Sequence, residues 1–155
     1  MMVSDLQPGD GLIYTGRELF DQIQKVKLGS EATHFEVYIG YGYTITSKFK
    51  TGVGVYKANL YGLLRVIRPV ARLNWAEAVE RFKATVCGLP YGFEALLNFA
   101  NVQVPDRGLF CSEVGTLLYR AAGLDPFNAT IHAARVAPMH FLYLSETLFS
   151  IPFQL

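Results

Sequence analysis

The chain has 155 residues, 51% hydrophobic and 17% charged, with a formal net charge of +1. That is enough chain for one domain with a proper core, too apolar for disorder, and too near neutral to argue for nucleic acid or an anionic membrane surface. Nowhere do about 18 apolar residues run uninterrupted, which excludes a transmembrane helix. The opening Met-Met-Val-Ser-Asp-Leu-Gln lacks the basic and apolar regions of a secretion signal, so the chain is expected in the cytoplasm of the cell that makes it.

Residues 11–14 read as a short strand after the Pro8-Gly9-Asp10 turn, and residues 17–27 carry helical spacing through Leu19, Phe20, Ile23 and Val26. A β-rich block follows at 34–40, 43–48, 53–56 and 64–70. Tyr41-Gly42 forms its tight hairpin, and Gly52 and Gly54 mark a second bend. Asn74 is placed to cap a helix over 75–86, with Glu77 completing a capping box and Gly88-Leu89-Pro90 ending it. A further short helix is expected over 91–99, then a loop at 105–108 and a helix from Cys111 that stops at Gly123. The apolar segment 139–149 fits helix or strand equally. There are no repeats and no low-complexity segment, so residues 1–155 are read as one domain of α+β layout.

Two cysteines make no disulfide framework, and the absence of CxxC or HExxH spacing argues against a metal site; no cofactor is expected. Cys87 falls in the last turn of the 75–86 helix and reads as a small buried hydrophobe. Cys111 differs. It begins a helix whose apolar residues are Val114, Leu117, Leu118, Ala121 and Ala122, and a helix N-terminus favours thiolate over thiol. A sulfur nucleophile needs a base. On the strand 34–40, His34, Glu36, Tyr38 and Gly40 share one face while Phe35, Val37 and Ile39 share the other, so His34 stands on a rigid element beside a carboxylate. His132 and His140 are rival bases, but both lie in segments with weak secondary-structure signals and read more simply as loop histidines. Glu113 reads as an acid favoured by the helix dipole rather than as a catalytic group.

With these residues in place, the chain resembles a known family: the YiiX-like, circularly permuted branch of the NlpC-type papain-fold cysteine hydrolases, relatives of the lecithin retinol acyltransferase group. The resemblance covers roughly residues 8–123. Pro8-Gly9-Asp10-Gly11-Leu12-Ile13-Tyr14 resembles the family's PGDLL strand, and Ala32-Thr33-His34-Phe35-Glu36-Val37-Tyr38-Ile39-Gly40 its SHVGIYIG strand. Val66-Ile67-Arg68-Pro69 resembles VLRP, Gly88-Leu89-Pro90-Tyr91-Gly92-Phe93 resembles GKPYDF, and Phe110-Cys111-Ser112-Glu113-Val114 resembles FCSELV. Each motif is weak alone; five in the same order are fairly specific.

The resemblance implies a papain-like fold in which an antiparallel sheet carrying the base packs on a helical half carrying the nucleophile. It implies Cys111 as nucleophile and His34 as base, meeting across one groove, with Tyr91 near the sulfur to bind a substrate carbonyl or the oxyanion. Two departures from the family pattern stand out. The polar third residue, often Glu or His, is here Thr46, which carries no charge. Where the family tends to have Gly, this chain has Glu36, which either compensates for Thr46 or is merely a solvated strand residue.

The expected activity is amide hydrolysis through a thioester, on a small peptide of cell-wall type, in a bacterial or phage-encoded protein. Two other readings stand beside it: an acyltransferase or lipid esterase like the retinol-acyltransferase relatives, and a catalytically silent binding module. Oligomeric state has no sequence signal here.

Overall fold

The computed structural model describes residues 1–16, 22, 24–26, 29–92, 108–128 and 131–154. Among them six strands form one antiparallel sheet: β1 (Gly11–Tyr14), β2 (His34–Gly40), β3 (Tyr43–Lys48), β4 (Gly52–Lys57), β5 (Leu63–Pro69) and β6 (Phe149–Gln154). Their spatial order is β4-β3-β2-β1-β5-β6. The α-helices whose bounds fall among the described residues, α1 (Trp75–Val86) and α2 (Cys111–Ala121), together with helical residues at 22 and 24–26, give an α+β arrangement.

The β2–β3 turn needs left-handed backbone at both of its residues. Tyr41 (φ 52°) and Gly42 (φ 82°) supply it, which matches the twist of the flanking strands. Side-chain alternation then sorts the sheet into two faces. Ile13, Phe35, Val37 and Ile45 turn toward α1 and α2, where Val79, Phe82, Val114, Leu118 and Tyr119 close the main core. Leu12, Tyr14, Tyr38 and Val66 turn the other way and are covered by Leu6 and Leu63. The face carrying His34 and Glu36 is therefore not a solvated one: Tyr38 and Glu36 are each only 5% exposed.

The Pro8-Gly9-Asp10 turn and the Val66-Ile67-Arg68-Pro69 segment meet in space. Arg68 Nε and a terminal guanidinium nitrogen donate to the two oxygens of fully buried Asp10, each at 2.7 Å, and Gln7 N–H adds a third bond at 2.8 Å. Two parallel N–H···O bonds to one carboxylate are the strong form of such a pair.

Several expectations need correction. Asn74 does not cap α1; its amide donates to Glu77 Oε2 at 3.0 Å instead, so the two side chains satisfy each other and no capping box forms. Cys87 is exposed, not buried. It is the residue after the helix, in extended conformation (φ −63°, ψ 133°), and the exit turn swings it off the face that buries Val86. Segment 139–149 resolves into neither alternative: Pro138–Tyr143 is a 3-10 turn, and only Phe149 enters a strand, the unexpected β6. Tyr91 does not start a helix but forms a single parallel bridge with Leu109. The rest of the expected helix at 91–99, from residue 93 on, lies outside the described residues. So does most of the helix expected over 17–27, of which Val26, assigned there to the apolar face, is 84% exposed. No helix among the described residues is long and apolar enough to cross a membrane.

Candidate active site

The start of α2 is fixed from below by a missing side chain. Gly115, one turn into the helix, lies so close to Phe35 of β2 that a Cβ there would fall 2.3 Å from the ring. The helix is also tied by Ser112 Oγ, which donates to the Val136 carbonyl, and by Tyr119 OH, which donates to the Gly9 carbonyl at 3.0 Å. Phe110, extended at φ −80° and ψ 157°, precedes the helix, and its N–H donates to Glu113 Oε2 at 3.4 Å. Glu113 thus acts on the first turn, where an acid suits the dipole. Cys111 opens the helix, 1% exposed.

The close seating of α2 on β2 brings the Cys111 side chain into hydrogen-bonding reach of His34, the first residue of β2. His34 is paired in register with Tyr14, and its side chain keeps 24% exposure. Its Nε2 lies 3.1 Å from Glu36 Oε1 and 3.5 Å from Thr46 Oγ1. Thr46 gives its own proton to the Phe35 carbonyl at 2.6 Å, so toward His34 it can only accept. Glu36 also only accepts. Both neighbours therefore call for a proton on Nε2, which leaves Nδ1 for the sulfur.

Glu36 is held in turn. Thr44 Oγ1 donates to Oε2 at 2.7 Å, and Lys48 Nζ stands 3.4 Å from Oε1 while lying over the Tyr56 ring at 4.4 Å. Thr44 and Lys48 were not among the sequence candidates. Their signal was available, since Thr44, Thr46 and Lys48 follow at period two along β3.

Burial is the largest influence on His34 and works to lower its pKa. The negative charge of Cys111, the hydrogen bond to it and the Glu36 carboxylate outweigh burial and raise the ring to about 10. For Glu36 burial works upward, but the hydrogen bond and charge of His34, with Lys48 and Thr44, hold the carboxyl below its ordinary value. Burial, aided by Glu36, pushes the Tyr14 hydroxyl up, so it stays protonated and donates to the Asn59 carbonyl at 2.9 Å.

A cleft of about 700 Å³ opens beside His34 at the ends of β1, β2 and β3, lined also by Tyr14, Gln24, Lys48 and Tyr91. Tyr91 packs edge-on against Phe110 (centroids 5.4 Å apart) and Phe49 (5.8 Å), and its hydroxyl accepts from Gln24 Nε2 at 3.3 Å. A second open groove of about 870 Å³, between α1 and the β2–β3 hairpin, contains none of these residues.

The structure does not bring the rival histidines to the sulfur. His132 and His140 each turn Nδ1 to a backbone N–H, of Ala134 at 3.3 Å and of Ala137 at 2.9 Å, and so serve as local turn caps. No group of three or more His, Cys, Asp or Glu among the described residues is placed to hold a metal ion.

The chain matches no protein-family model and no curated protein. The site brings together a sulfur at a helix start, an imidazole beside it, a carboxylate on the imidazole, and an adjoining cleft.

Proposed function

We propose that the protein is a cysteine hydrolase that cleaves an amide through a thioester, with a permuted, NlpC-type papain-like fold. The observation that carries this reading is the grouping Cys111–His34–Glu36, in which the imidazole beside the sulfur is held at Nε2 by a buried carboxylate. A base oriented by a third group is the general signature of an activated nucleophile. The resemblance of five ordered motifs to the NlpC-type family and the packing of the Cys111 helix on the His34 sheet support the fold assignment.

In this mechanism the sulfur adds to the amide carbonyl carbon. His34 gives its proton to the leaving nitrogen as the C–N bond breaks, and a thioester remains. Water then adds to the thioester carbonyl, losing its proton to His34. The C–S bond breaks, the acid leaves, and the sulfur is restored. The Cys111 backbone N–H, at the helix start, is placed to donate to the developing oxyanion. Glu36 holds the tautomer and balances the imidazolium charge; Thr46 adds a second acceptor on the same nitrogen.

One observation favours a second reading. Cys111 is only 1% exposed, which suits a binding module that keeps the fold without turnover. The chain carries an internal reference that separates the two: Cys87 is exposed, and burial, partly offset by Lys83, raises its pKa. Iodoacetamide labelling across pH 5–8, with each site mapped by mass spectrometry, should modify Cys111 ahead of Cys87 at the acid end. His34→Ala should remove that preference. Labelling of Cys87 alone throughout the range would sink the hydrolase reading. In an enzyme, either Cys111→Ala or His34→Ala should lower turnover by about 10²-fold or more.

A further inference from the structure

One oxygen of the site has two claimants. Glu36 Oε2 is taken by Thr44 Oγ1 at 2.7 Å, while Oε1 meets both His34 Nε2 at 3.1 Å and Lys48 Nζ at 3.4 Å. The Glu36 side chain is only 7% exposed, so water screens the shared oxygen poorly. Lys48 is not a roaming surface cation. Its Nζ lies 4.4 Å from the centre of the Tyr56 ring, and the Tyr56 hydroxyl pins that ring by donating to the Gly52 carbonyl at 2.8 Å and meeting Thr51 Oγ1 at 2.7 Å. The ammonium is seated between an aromatic face and Oε1.

A carboxylate that served His34 alone would help to charge the ring and then hinder its discharge. Thioester hydrolysis needs the discharged ring, because the proton of the attacking water passes to a neutral imidazole. A cation on the same oxygen weakens its pull on the imidazolium and repels that imidazolium directly. The titratable and charged groups facing the ring among the described residues are Tyr14 from β1, Glu36 beside it on β2, Lys48 from β3 and Cys111 from α2. Burial keeps Tyr14 protonated, so apart from the sulfur the negative charge near the ring is that of Glu36.

We propose that Lys48 is a positioning residue for the base: by taking a share of Glu36 Oε1 it limits the carboxylate's hold on His34, so that the imidazole can accept a proton in the second half of the reaction as well as give one in the first. This rests on the hydrolase reading for its kinetic consequence alone; the proton equilibrium of the ring is measurable with no sulfur present.

In Cys111→Ala protein, an NMR titration of His34 reads Glu36 and Lys48 without the sulfur. Adding Lys48→Met should raise the midpoint of the ring by about 1 pH unit. Lys48→Arg, which keeps the charge, should leave it near its starting value, and Tyr56→Leu, which unseats the ammonium, should raise it by less. In protein that keeps the sulfur, p-nitrophenyl acetate reads acylation as a burst of p-nitrophenol and thioester hydrolysis as the steady phase that follows. Lys48→Met should keep the burst, slow the steady phase at pH 6 by about fivefold, and move its pH midpoint upward with that of the ring. A ring midpoint unmoved or lowered in Lys48→Met, or Lys48→Arg titrating like Lys48→Met, would overturn the proposal. So would a steady phase slowed equally at every pH, the result a merely structural lysine gives. The two readings fail separately: a ring midpoint that moves in a protein showing no burst sinks only the hydrolase, and a normal burst with an unmoved midpoint sinks only the role of Lys48.

Discussion

Gly115→Ala tests whether the approach of α2 to β2 is set by the absence of one methyl group. The new Cβ would lie 2.3 and 2.4 Å from two carbons of the Phe35 ring. Ordinary contact between carbons begins at about 3.5 Å, so ring and helix must part by about 1 Å. Phe35 cannot retreat, because it is fully buried and stacked on Phe141 with centroids 3.7 Å apart. Overpacking of this kind costs about 1–3 kcal/mol, and so severe a clash belongs at the upper end. Replacing a mid-helix glycine returns about 1 kcal/mol, leaving a net loss of about 2 kcal/mol. For a chain of this size that lowers Tm by about 4–8 °C. The same separation lifts the Cys111 sulfur from His34, and a 1 Å misplacement can cost about 10²-fold in rate. Urea unfolding and iodoacetamide labelling of Cys111 read the two effects together. A double-mutant cycle with Phe35→Leu, which opens space under the helix, should recover much of the loss caused by the alanine. If Gly115→Ala is neutral, or its cost is unchanged in the Phe35→Leu background, the close-approach argument is falsified.

Glu36→Gln keeps the shape behind His34 but removes the charge; His34 should then lose its proton at lower pH, which an NMR titration of the ring would register, and an unmoved midpoint would show the carboxylate to be idle. The His34–Glu36 pair should also shape stability against pH. His34 is raised from 6.5 to about 10, so its contribution is complete below about pH 6.5 and fades as pH climbs through 10; Glu36 is lowered from 4.5, so its contribution is present above 4.5 and fades below it. The stability gap between native protein and a His34→Ala, Glu36→Gln double variant should therefore be widest near pH 4.5–6.5, and a gap that widens toward pH 10 would contradict the assignment. Arg68→Ala strands the buried Asp10 carboxylate and should cost about 3 kcal/mol in chemical denaturation, with part regained by adding Asp10→Asn; a loss below about 0.5 kcal/mol would mean that the clamp is dispensable.

Much of this architecture could be read from residues because local pattern and tertiary burial agree. The apolar positions Ala78, Val79, Phe82 and Val86 both specify α1 and bury it, and the Tyr41-Gly42 turn admits few alternatives. The pairing of Cys111 with His34 was legible because helix start and strand face were each locally encoded. What could not be read depends on partners distant in the chain. β6 contains Pro152, which argues against a strand, yet at the sheet edge the missing N–H is tolerated. The fate of Cys87 depended on one exit dihedral. Tyr91 looked like a helix start because its pairing partner, Leu109, is distant in the chain. Thr44 and Lys48 were passed over because each is ordinary until Glu36 is known to lie between them. The alternation on β2 was correctly divided, but period alone does not say that the polar side is covered by a second cluster.

The two halves of the site are anchored unequally. The imidazole rides on a strand locked between neighbours on both edges, so moving it means unzipping the middle of the molecule. The sulfur rides on a helix whose height is set where Gly115 meets Phe35 and which side-chain hydrogen bonds from Ser112 and Tyr119 hold in place. Errors of alignment, by mutation or by heat, will enter from the sulfur's side, and a drifting lineage would lose the meeting of Cys111 and His34 while keeping its shape.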